Sequence, residues 1–477
     1  MTASKISRAL PPGWPTGRDF GGGSRAVRDP FTGEVIAQVH WARAVDVASA
    51  VASARQHLPA LPGVERAGIL ERAAGLLRER QEDFARVITM EAGKPITQAR
   101  GEVARCIDTI IFSAIEARTA TGEMVPMDGT TTGGGKLGIV VRSPIGVVGA
   151  IAPFNFPLNL VAHKVAPAIA AGCPVVLKPA PQTPLSAIAL AALLEEAGLP
   201  AGALHVLPGD AAVGSAIVDH PDVPLISFTG SDRVGRAIQR QVPHKTVLLE
   251  LGNATPVIVA ADADLPDAAR RVARSGFTHA GQSCVSVQRV YVQRTAYRAF
   301  LEMLIDEVAT LVAGDPLDDR TDVGPVIDAH STERVLEVIA EAERAGGIIA
   351  TGGTCADGII APTIVADLPP ECRLANEEAF GPVVGVAPID DLADGVRLAN
   401  ATPLGLQAGI FTSRVDVALA LARDLDFGGV VINETPTFRT DQMPYGGVKE
   451  SGNTREGPRY AVQAMTVPKL LIVRLPG

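Results

Sequence analysis

The sequence predicts an α/β protein: two mostly parallel sheet units with helices on their faces, a helical segment before them and a lone strand at the end. Three observations carry this. From Ala44 to about Ala120 apolar positions repeat at helical spacing. From about residue 140 to 251, short β-branched runs alternate with helix-period segments, the pattern of βαβ units. From Asn253 onward that alternation resumes in a second unit. At roughly 100–200 residues per domain, 477 residues make two or three domains, each able to bury its own core.

Each element follows in order. "AVDVASAVASARQHL", from Ala44 to Leu58, places apolar residues on one helical face. "ERAGILERAAGLLRERQEDFARVITMEAG" continues the habit to Gly93, a C-cap residue, and a third helix runs from about Ile96 to Ala120. "VVRSPIGVVGAIAPFNFP" changes texture to β-branched runs cut by Gly and Pro. "CPVVLKPAPQTP" holds a buried strand, Pro174 to Leu177, and then a proline-rich loop. "LSAIALAALLEEAGLP" is a helix ending at Gly198. "GALHVLPG", "LISFTGS" and "KTVLLELG" are strands, separated by the helices "VGSAIVDHP" and "VGRAIQRQV". "PVIVAADAD", "RVYVQR" and "GVVIN" are the clearest strands of the second unit. The closing "MTVPKLLIVRLPG" is an isolated strand, which needs a partner from another element or another subunit.

Composition narrows the class. A hydrophobic fraction of 47% with 20% charged residues suits a folded enzyme. The net charge of −9 and the lack of a basic block argue against nucleic acid. No apolar run reaches the ~18 residues of a membrane span, and the opening residues lack an apolar signal region, so a cytoplasmic setting is expected. The five cysteines are irregularly spaced without C-x-x-C, and the eight histidines form no zinc-like pattern, so no metal is expected.

One cysteine stands apart. Cys284 lies in "GQSCVSVQR", after a glycine-led polar turn and before a β-rich run. A reactive cysteine needs a thiolate, a nearby base and a place for an oxyanion. Glu250, in "LELGN" at a strand end, precedes it by 34 residues, room for a helix to return the chain to the same edge. Asn155, in "APFNFP", sits just past a strand with proline and aromatics fixing the turn, where its amide can donate to an oxyanion. Taken singly, each has a plain reading: Cys284 a core residue, Glu250 a solvated strand end, Asn155 a turn residue.

The motifs "APFNFP", "VVLKPAPQTP", "ISFTGSDRVGR", "LLELGN", "GQSC", "NEEAFGPV" and "MPYGGVKESGNTREG" occur in this order. Together they resemble the aldehyde dehydrogenase superfamily over nearly the whole chain. The resemblance implies a Rossmann-like cofactor domain of residues 1–125 and 145–251, a catalytic α/β domain of residues 252–450, and a small β oligomerisation element of residues 126–144 and 461–477. It implies that Cys284 attacks the aldehyde carbonyl, that Asn155 and the Cys284 backbone N–H hold the oxyanion, and that Glu250 activates water to hydrolyse the thioester. Members that pass the acyl group to coenzyme A commonly lack this glutamate, so a free acid is favoured. The cofactor is NAD or NADP. Lys178 matches the lysine at the adenosine ribose. Gly230 and Ser231 match the helix N-terminus under the pyrophosphate. Glu378 and Phe380 match residues around the nicotinamide ribose and ring, and Phe154 is expected among the cofactor-binding residues. Outside the family context Lys178 reads as a surface lysine and Phe380 as a core aromatic. Pro181 stands where NAD-selective members usually carry glutamate, so NADP is expected to be accepted. Asn253 replaces a frequent glycine, and asparagine tolerates the positive φ such a turn would need.

The motif alignment also places Arg105, His163 and Arg439 along the substrate tunnel, with the small Ser283 at its inner end. Unpaired charges there are costly, and an anionic head group, phosphonate or phosphate, would pair them. The alternative is that internal carboxylates such as Glu102, Asp108 or Asp441 pair the arginines. The subgroup implied acts on small polar aldehydes, with phosphonoacetaldehyde, glyceraldehyde-3-phosphate, lactaldehyde and succinate semialdehyde dehydrogenases as neighbours. The terminal strand, combined with "KLGIVVRS", is expected to pair across a subunit boundary in a homodimer or homotetramer. A coenzyme A-acylating enzyme and a non-catalytic binding protein that keeps the fold remain as rivals.

Overall fold

The computed structural model describes residues 7–57 and 61–476. Leu58, where the first helix is expected to end, lies outside them, as do residues 1–6 and Gly477. β1 (Ser24–Arg28) and β2 (Val35–His40) form an antiparallel hairpin. The helical segment comprises α1 (Asp46–Arg55), α2 (Gly63–Glu79), α3 (Gln81–Ala92) and α4 (Ile96–Thr119). The continuous run expected up to Gly93 is broken at Arg80, whose φ of −108° and ψ of 18° interrupt the helix. Gly93 ends α3 at φ 69°, the left-handed cap that glycine adopts without strain.

After β3 (Glu123–Val125) and β4 (Lys136–Pro144) comes a regular alternation: β5 (Val148–Ile151), α5 (Asn159–Ala171), β6 (Val175–Lys178), α6 (Leu185–Glu196), β7 (Leu204–Val206), α7 (Ala211–Asp219), β8 (Leu225–Thr229), α8 (Asp232–Gln241) and β9 (Thr246–Glu250). The five strands are parallel in the order β7-β6-β5-β8-β9. The chain thus moves outward from β5 to β7 and then returns to β5's other side. That reversal opens a crevice beyond the carboxyl ends of β5 and β8.

The second sheet begins five residues after β9. Its elements are β10 (Thr255–Val259), α9 (Leu265–Phe277), β11 (Val287–Gln293), α10 (Arg294–Ala309), α11 (Ala329–Arg344) and β12 (Ile348–Thr351). A small hairpin, β13 (Cys355–Ala356) with β14 (Ile359–Ile360), leads to β15 (Thr363–Ala366), α12 (Arg373–Asn376), β16 (Val383–Ile389) and α13 (Leu392–Asn400). Then come β17 (Leu404–Gly405), β18 (Gln407–Phe411), α14 (Val415–Asp424) and β19 (Gly429–Ile432). Seven strands line up as β12-β15-β16-β11-β10-β18-β19, with β12 alone antiparallel. Each sheet has its own buried apolar core, and every residue of β10 and nearly all of β11 is buried, as a sheet covered on both faces requires.

The chain closes with β20 (Val448–Lys449), α15 (Pro458–Ala464) and β21 (Thr466–Arg474). β21 pairs antiparallel with β4 from Thr466 opposite Pro144 to Arg474 opposite Lys136, and β3 flanks β4 on its other side. The terminal strand therefore finds "KLGIVVRS" within its own chain. The cause is local: α15 runs straight into β21, and Ile145 N–H donates to Met465 O at 3.0 Å, which brings the two strands side by side. β21 remains an edge strand, with Val467, Leu470, Leu471, Ile472 and Val473 all exposed. No described helix is long and apolar enough to cross a membrane.

Candidate active site

The candidate residues gather where the carboxyl edge of the five-stranded sheet faces the amino edge of the seven-stranded one. Glu250 is the last residue of β9, and Lys178 the last of β6. Cys284 lies three residues before β11, and Phe380 three before β16. Asn155 bridges the two sheets: its Nδ2 donates to Gln282 O at 2.9 Å, just ahead of the cysteine. Gln282 is fully buried and accepts from Ile327 N–H at 2.8 Å, so the turn before Cys284 is tied on both sides. Gly281 makes that turn possible. Its φ is 71°, and a Cβ there would lie 2.0 Å from Gly381 O.

Cys284 Sγ sits 2.9 Å from Tyr445 Oη, among Val285, Leu406 and Met443. Burial pushes its thiol up to about 12; the Tyr445 hydrogen bond and the Arg439 charge oppose that shift, while Glu378 and Glu250 add to it. Glu250 is buried, and neither carboxylate oxygen has a hydrogen-bond partner among the described residues. Burial first, and the Glu456 charge second, raise its carboxyl well above the usual range. Gly446 leaves room for it: a Cβ there would lie 2.8 Å from Glu250 Oε1. A buried carboxyl with no donor attached is a strong base once ionised.

The three cationic positions read from the sequence do converge, but not as free charges. Arg439 Nη2 donates to Glu456 Oε2 at 2.8 Å, and its guanidinium stacks 3.8 Å over the Tyr445 ring. Arg105 grips Asp441 with two hydrogen bonds, at 2.8 and 3.2 Å. His163 Nε2 lies 2.9 Å from Asp441 Oδ1. The internal pairing supplies what an anionic head group was expected to supply, because Asp441 and Glu456 come from the same loop region as Arg439. Burial pushes the Asp441 carboxyl up, yet His163 and Arg105 outweigh it and hold it well below the usual range. Burial likewise raises Glu456, and Arg439, His163 and Lys164 bring it down to about 2. His163 is lowered by burial and the nearby Arg439, so its ring is neutral near pH 7. Ser283 Oγ accepts weakly from Val285 N–H at 3.5 Å and joins none of these pairs.

The cofactor-side residues line the crevice of the first sheet. Burial lowers the Lys178 ammonium to about 8, and its Nζ donates to Pro179 O at 3.1 Å. Pro181 is exposed in the loop that follows. Gly230 leads into Ser231, the N-cap of α8, whose side chain makes no capping hydrogen bond, leaving the helix's first N–H groups for an anion. Glu378 Oε1 accepts from Asn253 N–H at 3.0 Å, and burial pushes its carboxyl up to about 7. A Cβ at Gly252 would lie 2.5 Å from Glu378 Oε2, so that glycine gives the carboxylate its seat. Phe154 and Phe380 meet edge to face with centroids 5.8 Å apart. Asn253 does not take a positive φ. Its amide instead donates to Thr255 Oγ1 at 2.8 Å and Gln407 O at 2.9 Å, which explains asparagine there better than turn strain does. A lysine, an open helix N-terminus, a carboxylate and an aromatic pair fit a dinucleotide. Among the described residues no cluster of His, Cys, Asp or Glu could hold a metal.

Sequence reading missed Lys164, Tyr445 and Glu456. Lys164 Nζ donates to Thr229 Oγ1 at 2.6 Å and lies 4.0 Å from Glu456 Oε1. A signal for it existed: α5 is apolar and buried on every side, and an adjacent His163–Lys164 pair inside it needs partners.

The chain belongs to the aldehyde dehydrogenase family, whose model matches residues 19–471. It is an oxidoreductase acting on aldehydes with NAD or NADP as cofactor. It is 43% identical over 451 residues to a 3-sulfolactaldehyde dehydrogenase of Priestia aryabhattai, covering 94% of each protein. Glyceraldehyde-3-phosphate dehydrogenase GapN of Methanocaldococcus jannaschii, solved with NADP, superposes with a TM-score of 0.91 at 38% identity, over 94% of this chain and 98% of that one. Aldehyde dehydrogenase 21 of Physcomitrella patens, solved with the reaction product succinate, gives 0.93 at 39% identity, over 96% of each.

Proposed function

We propose that this chain oxidises a small aldehyde bearing an anionic head group to the free carboxylic acid, with Cys284 as nucleophile. One observation carries the choice of substrate. Around the Cys284 pocket, Arg105, Arg439 and Lys164 face Asp441 and Glu456, whose carboxyls their partners hold below the usual range, while burial raises Glu250 and lowers His163. The cluster sets three basic side chains against two carboxyls in a largely desolvated place. Arg105 is the natural contact, because its side chain remains 29% exposed while Asp441 fixes its direction. The relatives named above handle a sulfonate-, a phosphate- or a carboxylate-bearing compound, which favours a strongly acidic head group; a phosphonate fits the same chemistry. Lactaldehyde and succinate semialdehyde are the alternatives.

In this reading the Cys284 thiolate adds to the carbonyl carbon. Asn155 uses one amide N–H on Gln282 O and has a second for the oxyanion. A bound nicotinamide, held by Phe154, Glu378 and Phe380, supplies the hydride acceptor. Glu250 then takes a proton from the water that attacks the thioester, and the acid departs. Lys178 and the N-terminus of α8, at Gly230 and Ser231, hold the adenosine and pyrophosphate ends. With Pro181 in the following loop, that position holds no carboxylate to repel a 2′-phosphate, so both cofactors are used. We also propose cytoplasmic residence and a homodimer or homotetramer built on the exposed edge of β21. The deciding experiment is a panel of sulfonate-, phosphonate- and carboxylate-bearing aldehydes against neutral ones of equal length. An anionic member should exceed its neutral counterpart at least tenfold in kcat/KM, or ~1.4 kcal/mol. Equal values would overturn the head-group assignment.

A further inference from the structure

We infer that Tyr445 is a further catalytic residue, its O–H donating to the Cys284 sulfur as a thiolate, and that Arg439 acts through it as a positioning residue. This rests on the reading of Cys284 as the nucleophile.

Three observations support it. Tyr445 Oη has one hydrogen-bond partner among the described residues, Cys284 Sγ at 2.9 Å, and the tyrosine is buried. Once the thiol has lost its proton only the hydroxyl can donate in that pair. The ring is also held on its face. Arg439 lies 3.8 Å from its centroid, and Glu456 fixes Arg439 at 2.8 Å. Finally, the frame closes on itself, because Glu456 and Tyr445 form a backbone bridge, with Tyr445 N–H donating to Glu456 O at 3.1 Å. The residue that anchors the arginine is thus the backbone neighbour of the tyrosine under it. A cation over the ring draws electron density from the phenol and makes its O–H a better donor.

The chemistry calls for such a donor. The titratable and charged groups facing the sulfur are Glu378 and Glu250, which disfavour a thiolate, and the Tyr445 hydroxyl and Arg439, which favour one. The rest of the sulfur's surroundings are apolar. The sulfur carries charge twice in the cycle. In the first step Sγ–H releases its proton to water and the thiolate pair forms the C–S bond. In the last, attack by water with Glu250 as base leads to C–S cleavage, and the bonding pair returns to sulfur. Tyr445 can donate in both.

The test is Tyr445→Phe, which keeps the ring and its arginine and removes only the O–H. The pH midpoint for alkylation of Cys284 by iodoacetamide, followed by peptide mass spectrometry, should rise by about one unit, equal to a tenfold change in thiolate fraction. Aldehyde kcat/KM should fall about tenfold or more, with KM for the dinucleotide and the melting temperature unchanged. Replacing all four tyrosines with 3-fluorotyrosine, a stronger acid, should move the midpoint the other way. An unchanged midpoint in both proteins overturns the role of Tyr445. If alkylation at Cys284 leaves wild-type aldehyde oxidation intact, it is the nucleophile assignment that fails instead.

Discussion

Replacing Glu250 with glutamine separates the two halves of the proposed reaction. Neither Glu250 oxygen accepts a hydrogen bond from a described residue, so the substitution removes no contact. It also removes a buried carboxyl whose pKa burial and the Glu456 charge raise. Because that folded-state pKa lies above the unfolded one, ionising Glu250 costs stability increasingly as pH rises from about 4.3. The glutamine variant should therefore match wild type at pH 4–5 and equal or exceed it above pH 7, as urea midpoints would show. Its chemistry should suffer far more. Loss of a general base costs about 10²–10⁴-fold, or roughly 2.7–5.5 kcal/mol of barrier. Rapid mixing with aldehyde and cofactor should give a burst of about one reduced cofactor per site, followed by a steady rate reduced by that factor. In wild type the steady rate should climb with pH above the ordinary carboxylate range, as Glu250 ionises, and the variant should lose that climb. A steady rate within tenfold of wild type, with its pH dependence intact, would refute the assignment of Glu250 as base.

Five further outcomes are expected. Arg105→Ala should raise KM for an anionic aldehyde about tenfold or more and leave propanal unchanged, whereas Arg439→Ala strands Glu456 and should cost about 3–5 kcal/mol in denaturant unfolding; a stable Arg439→Ala protein would contradict the buried pair. Asp441, whose carboxyl is held below its ordinary range, contributes stability above its unfolded pKa that is lost on acidification. The stability gap between wild type and Asp441→Asn should accordingly narrow as pH falls below about 4. With Pro181 in place, kcat/KM for NAD should exceed that for NADP by less than about a hundredfold, ~2.7 kcal/mol, and a larger ratio would sink the reading. Leu471→Asp, on the exposed edge of β21, should give a monomer by size exclusion with light scattering; an unchanged mass would place the subunit contact elsewhere.

What could be read from the sequence was mostly local. The alternation between Val148 and Glu250 announced the parallel sheet because each strand's apolar run and each helix's period lie within a dozen residues. Asn155 and Glu250 were visible at their strand ends because the turns beside them carry Pro, Phe and Gly. Charge pairing was not local. Arg105 reaches Asp441 across more than 300 positions, and nothing along the chain marks Asp441 over Glu102 or Asp108 as its partner. Arg439 finds Glu456 because a backbone bridge folds that loop back on itself, so a row of polar residues in sequence becomes a stack in space. Tyr445 lay inside a quoted motif, yet only the fold shows that its hydroxyl reaches the sulfur. The partner of β21 likewise lies far upstream, in β4.

The meeting of two sheet edges has a practical meaning for redesign. The groups assigned to the adenosine and pyrophosphate stand on loops of β6 and β8, whereas Cys284 and Tyr445 belong to segments flanking the other sheet. Variation in one set of loops can therefore be grafted without repacking the other. A library confined to the exposed turn after Lys178 should redirect coenzyme choice while leaving aldehyde selectivity intact, and one confined to the surroundings of Arg105 should do the reverse.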